Sequence, residues 1–140
     1  MIASFALFGL ALPAVAIVAL PFAARRREMV APLAVVAALA TFMVATVTAA
    51  LVASRPGAVV LADFAWIPAL EARFTLELDG AGMALAWLSS FASLLAVAAA
   101  ARDEGRRTAP ADGAALGFAC ILFAHVAASL VFVARDLLLL

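Results

Sequence analysis

Four long apolar stretches separated by short polar gaps set the pattern of this chain. They run over about 2–24, 30–54, 81–101 and 113–134, and each is close to the roughly 20 residues an α-helix needs to cross the hydrocarbon of a bilayer. Arg25, Arg26 and Arg27 close the first stretch, and Arg55, Pro56 and Gly57 close the second, where proline and glycine form a helix stop. Between the third and fourth, the segment from Arg102 to Asp112 carries Asp103, Glu104, Arg106, Arg107 and Pro110 and reads as an aqueous loop. Beyond Arg135 and Asp136 come the leucines Leu137 to Leu140, which read as the start of a fifth helix.

The interval 55–79 has a different period. In Arg73, Phe74, Thr75, Leu76, Glu77 and Leu78 apolar residues alternate with polar ones, so an extended segment would have one apolar and one wet face. A second extended segment, Val59 to Ile67, precedes Pro68, and the two together predict a short β-hairpin between the second and third helices. Asp79 and Gly80 follow. An aspartate there can accept a bond from the first free amides of the third helix, and its charge suits the positive end of the helix dipole.

Within the helices, small or hydroxylated residues recur at four-three spacing. Ala34, Ala38, Thr41, Ala45 and Thr48 form one such stripe, and Gly82, Ala86, Ser89, Ser93, Ala96 and Ala100 form another. Small residues let helix backbones approach closely in lipid, and the threonines can bond across to a neighbour or back to their own helix. Alanine is so abundant that some stripe arises by chance. Pro13 and Pro21 lie inside the first stretch, where Pro13 predicts a kink and leaves the span in place.

Composition changes the picture only by fixing the solvent. The 140 residues are 69% hydrophobic and 13% charged, with a mean hydropathy of +1.23, against about 25% charged in soluble domains. One membrane domain over 1–140 follows. The first stretch has no basic N-terminal flank and is followed by a cationic cluster, the reverse of a secretory signal, so it reads as a retained span. Every basic residue is arginine, and no basic tract has a nucleic-acid footprint. The arginines after the first and third stretches outnumber those on the other side, so the positive-inside rule puts loops 25–29 and 102–112 in the cytoplasm. The N-terminus and the hairpin are then extracytoplasmic, and the setting is a bacterial-type inner membrane.

The order Trp66-Ile67-Pro68, the alternating Arg73 to Leu78, and Asp79-Gly80 opening an apolar helix resembles the N-terminal region of a family of antiporter-like membrane subunits. These occur in respiratory complex I, in multisubunit cation/proton antiporters and in membrane-bound hydrogenases. The closing Ala134-Arg135-Asp136 and four leucines are similar to the segment by which those proteins enter their next helix. The likeness covers the chain loosely and residues 64 to 101 most specifically, and where the family usually has Asp-Gly-Leu this chain has Asp79-Gly80-Ala81. It implies an all-α membrane protein that starts outside, carries the hairpin on its outer face and packs against other membrane subunits. It also implies a non-catalytic part of a proton-pumping NADH-quinone oxidoreductase type of complex or its antiporter relatives, with electron transfer left to other subunits. The glutamate and lysines through which the family moves ions lie on later helices with no counterpart among these residues, so helix packing and coupling is the expected role.

Candidate chemistry is sparse. His125, the single histidine, sits near the middle of the fourth stretch and is the one proton-path candidate. The structural alternative is a neutral imidazole held by one interhelical hydrogen bond, with Ser129 on the same face. Trp66, Pro68, Asp79, Gly80 and Asp136 carry the family pattern as structural positions: Trp66 suits an aromatic belt, Asp79 a cap and Asp136 a helix entry at the interface. Trp87 falls within the first turns of its helix. One Cys, Cys120, excludes an intrachain disulfide and acts as a small hydrophobe. No metal-ligand spacing, cofactor motif or nucleophile–base pair is visible, and no small-molecule substrate is expected. The rival reading is a four-helix membrane assembly protein without transport activity.

Overall fold

The computed structural model describes residues 2–55, 57–67, 72–104 and 111–134. Four helices, α1 (Ile2–Ala23), α2 (Arg27–Ala53), α3 (Gly80–Glu104) and α4 (Ala111–Val133), are accompanied by one two-stranded antiparallel sheet, β1 (Val59–Ile67) and β2 (Ala72–Leu78), which comes between α2 and α3 in the chain. All four helices are long and apolar enough to cross a membrane. At about 1.5 Å per residue even α1 reaches about 33 Å, against a hydrocarbon core of about 30 Å. The helices exceed the apolar stretches at the charged end. Arg27 to Met29 belong to α2 and Arg102 to Glu104 to α3, so those polar gaps are shorter than the sequence suggests. Charged side chains there continue the helix instead of stopping it, since arginine and glutamate are good helix formers.

Successive helices run antiparallel and pack side by side, α4 closes on α1, and α2 and α4 meet across the diagonal. Large apolar side chains face away from the bundle on every helix, among them Phe22 at 68% and Val131 at 71% exposure. A water-soluble bundle would present polar residues there, so four such helices fit a membrane protein. Cys120 lies on this outward surface, where its thiol meets the same apolar surroundings as its neighbours.

The interior has three levels. At the arginine end, Leu20, Val30, Ala34, Val97, Phe118 and Leu122 form one apolar cluster. At the hairpin end, Ile2, Val52, Leu76, Leu78, Met83 and Val133 form a second. Between them lie six buried polar residues, Thr41, Thr48, Ser90, Ser93, His125 and Ser129. The alternation in β2 explains the second cluster: Leu76 and Leu78 turn inward while Thr75 and Glu77 do not. The strands pair from Val59↔Leu78 to Ile67↔Ala72, with register shifts at Val60/Ala62 and Ala65/Ile67. Gly57, with φ +94°, makes the turn from α2 into β1 in a conformation that other residues rarely adopt.

The small-residue stripe of α2 faces inward, with Ala34, Ala38, Thr41 and Thr48 buried. On α3 the stripe needs correction. Gly82 and Ser93 are buried, but Ala96 is exposed and Val97 takes the inward place, because the buried face of α3 runs through Met83, Ser90, Ser93 and Val97, to one side of the stripe. Helices α1 and α2 run unbroken through Pro13, Pro21 and Pro32.

The start of α3 is fixed by Asp79, whose Oδ1 accepts a hydrogen bond from the Gly82 amide at 2.6 Å. Gly82 is buried against the end of α4, where an added Cβ would lie 2.7 Å from the Phe132 carbonyl oxygen and 3.1 Å from Asp79 Oδ1. Replacing Gly82 with Ala should therefore destabilise the protein by about 1–3 kcal/mol through overpacking and loss of the cap. Gly80→Ala, which meets nothing within 4 Å, should be close to neutral. Equilibrium unfolding in mixed micelles compares the two, and equal losses would refute the close-approach account.

Candidate functional site

Lipid cannot satisfy a polar side chain, so each one buried among these helices needs a partner inside the protein. The threonines of α2 meet this locally: Thr41 Oγ1 donates to the Ala37 carbonyl and Thr48 Oγ1 to the Val44 carbonyl, both at 2.8 Å. Ser90 on α3 does the same toward Trp87, at 2.7 Å. Ser93 Oγ has no partner among the described residues, a cost of about 1–3 kcal/mol.

His125 is bound differently. It lies eight residues, about 12 Å, from the hairpin end of α4 and 14 residues, about 21 Å, from the start of that helix. It is 6% exposed, and its Nδ1 lies 3.1 Å from Ser89 Oγ on α3. The bond is interhelical, and its partner is Ser89, not the neighbouring Ser129. Ser89 was visible in the α3 stripe, but pairing it with His125 requires knowing that α3 and α4 are in contact at that height. Leu122, one turn below, is fully buried and closes the site toward the arginine end.

Above and beside His125 is a cavity of about 50 Å³ reached by all four helices and the hairpin. Thr41, Thr48 and Ser129 line it with His125, and Leu61 and Leu78 of the hairpin cover it. Among the described residues that line it, none carries a carboxylate, lysine or arginine. A serine and an imidazole within hydrogen-bond distance can exchange one proton. A hydrolytic centre would add a carboxylate to orient the ring, and the described lining supplies none. The described residues contain no cluster of potential metal ligands.

Outside this layer, Trp87 Nε1 donates to Thr46 Oγ1 at 3.0 Å across α2 and α3. This gives the indole N–H a partner on an outward face. Its ring stacks on Phe91 with centroids 6.2 Å apart, and Phe42 lies 5.8 Å from Trp87. At the opposite end of the bundle from the hairpin, Arg27 Nη2 and Glu104 Oε1 form an ion pair at 3.2 Å between α2 and α3. Exposed as it is on the arginine side, such a pair contributes at most about 1 kcal/mol.

Of the residues singled out in the sequence, Asp79 and Gly80 sit at the start of α3, away from His125 on α4. Trp66 falls in β1. Its side chain lies outside the described residues, as do Pro68, Asp136 and the segment read as a fifth helix. A comparison of the chain with family models, curated proteins and solved structures finds no match. The architecture alone thus gives the class, four apolar helices of membrane-spanning length and a small antiparallel sheet.

The Ser89–His125 bond has a direct test. Ser89→Ala and His125→Phe should each destabilise the protein, Ser89→Ala by about 1–3 kcal/mol because it leaves a buried ring nitrogen unpaired. The double variant should cost less than the sum, with a coupling of about 0.5–3 kcal/mol by unfolding in mixed micelles. Additivity would mean that the bond carries no stability.

Proposed function

We propose that this chain is the N-terminal region of an antiporter-like membrane subunit. Its assembly moves protons or cations, of the complex I, cation/proton antiporter or membrane-bound hydrogenase kind, in a bacterial-type inner membrane. Its part there is to pack beside and brace the ion-conducting helices, and its partners are the bilayer and other membrane subunits. The observation that supports this reading is the junction of hairpin and α3: an antiparallel β1–β2 pair with Leu76 and Leu78 inward, leading directly into a helix capped by Asp79. That order of elements matches the resemblance carried by residues 64 to 101.

The inventory of ionisable groups argues for bracing over conduction. A proton path through hydrocarbon needs a succession of titratable side chains. Among the described residues of the four helices, Arg27, Glu28, Arg102, Asp103, Glu104 and Asp112 all sit at the helix ends, and of the histidine, acidic and basic residues His125 alone lies between. Three arginines at the α1–α2 turn and the hairpin at the other end support a cytoplasmic turn and an extracytoplasmic sheet.

Topology is the first check. In a Cys120→Ala background, Ser54→Cys should react with a membrane-impermeant maleimide in intact cells, and Arg26→Cys only after permeabilisation; the reverse pattern would sink the proposed orientation. The second check is assembly and flux. Purified from its native membrane in mild detergent, the chain should bring other multi-span subunits with it, and liposomes holding it alone should keep the proton permeability of empty ones. Isolation as a homogeneous, self-contained bundle would favour the assembly-protein reading instead.

A further inference from the structure

At the end of the bundle away from the hairpin, Arg25, Arg26 and Arg27 line one open groove together with Glu28 and Glu104, and the rest of its described lining is alanine. The three arginines are not equally engaged. Arg27 is paired with Glu104 at 3.2 Å, whereas Arg25 and Arg26 are exposed and make no hydrogen bond or ion pair with the rest of the chain. The two carboxylates of the groove leave one of its three positive charges uncompensated. The start of α2 adds to that charge, since no side chain caps it and a helix N-terminus carries a partial positive charge of its own.

Apolar surface runs up to the same place. Phe22, three residues before Arg25, is 68% exposed, and Met29, two residues after Arg27, is 53% exposed. Helices α1 and α2 meet the arginines at their ends, so in a bilayer the groove stands at the level of the headgroups, with Phe22 and Met29 at the edge of the hydrocarbon.

We propose that this groove is a headgroup site for an anionic phospholipid, whose phosphodiester is held by Arg25 and Arg26 and whose acyl chains lie against Phe22 and Met29. A guanidinium offers paired N–H donors that match phosphate oxygens, and basic pockets at the ends of membrane helices take anionic headgroups. The single negative charge of a phosphatidylglycerol complements the one uncompensated positive charge. A phosphatidylcholine brings the same phosphate with its own ammonium and gains less. Free phosphate has the oxygens but no chains for the apolar surface. This inference rests on the helices crossing a bilayer, and on neither the family resemblance nor the orientation of the chain.

The test uses the full chain in mild detergent with equimolar phosphatidylglycerol and phosphatidylcholine, read by native mass spectrometry. Phosphatidylglycerol should be retained several-fold in preference. Arg25→Gln with Arg26→Gln should remove most of that preference. Arg55→Gln with Arg102→Gln, an equal loss of charge outside the groove lining, should leave it. All four arginines are exposed, so neither double variant empties a packed position. Inorganic phosphate, added at the concentration of the lipid, should not displace it. Equal retention of the two lipids, or a preference that survives Arg25→Gln with Arg26→Gln, would overturn the proposal. Equal losses in both double variants would assign the preference to net charge and overturn the site, and displacement by inorganic phosphate would overturn the choice of a lipid as its occupant.

Discussion

The structure depends on one constraint: within hydrocarbon a polar group has only the protein to bond to. The helices satisfy their own backbones, and what remains is arranged by level. Apolar clusters occupy the two ends of the interior, and Thr41, Thr48, Ser90, Ser93, His125 and Ser129 share the band between them. Hydrophobic attraction between helices is weak where the solvent is itself apolar, so close packing and interhelical hydrogen bonds decide how these helices associate. Ser89–His125 and Thr46–Trp87 are two such bonds, one joining α3 to α4 and the other α3 to α2. Helix α3 is therefore the element through which both neighbours are positioned.

The hairpin adds a constraint of another kind. Its inner leucines belong to the same cluster as Ile2, Val52, Met83 and Val133, which come from all four helices. The turn at Gly57, the pairing of β1 with β2 and the Asp79 cap carry the chain from the end of α2 to the start of α3 without leaving that end of the bundle. At Gly82 the backbones of α3 and α4 come so close that a single methyl group has no room.

Local physics made much of this legible in the sequence. The four apolar runs give the four helices, the alternation of Phe74, Leu76 and Leu78 gives a strand, and an aspartate before a glycine and an apolar run gives a capped start. The ends of α2 and α3 were harder, because Arg27, Glu28 and Arg102 to Glu104 are compatible with either helix or loop until tertiary contacts decide. The candidate site was least legible. His125 stood out as a lone ionisable group, but Ser89, which bonds it, and Gly9 and Leu61, which line the cavity beside it, are brought to it only when four helices and a strand meet. Four-three spacing misplaced Ala96 for a similar reason, since packing against the neighbours chose a face of α3 through Met83, Ser90, Ser93 and Val97, beside the stripe.

The bridge between Leu76 of β2 and Ala134, the residue just after α4, gives the hairpin end of the bundle a backbone seam of its own. Through it the exit of α4 is joined to the sheet, the sheet is continuous in the chain with α2 and α3, and α1 meets β1 by packing. A displacement of the sheet would therefore be passed to the hairpin ends of all four helices together.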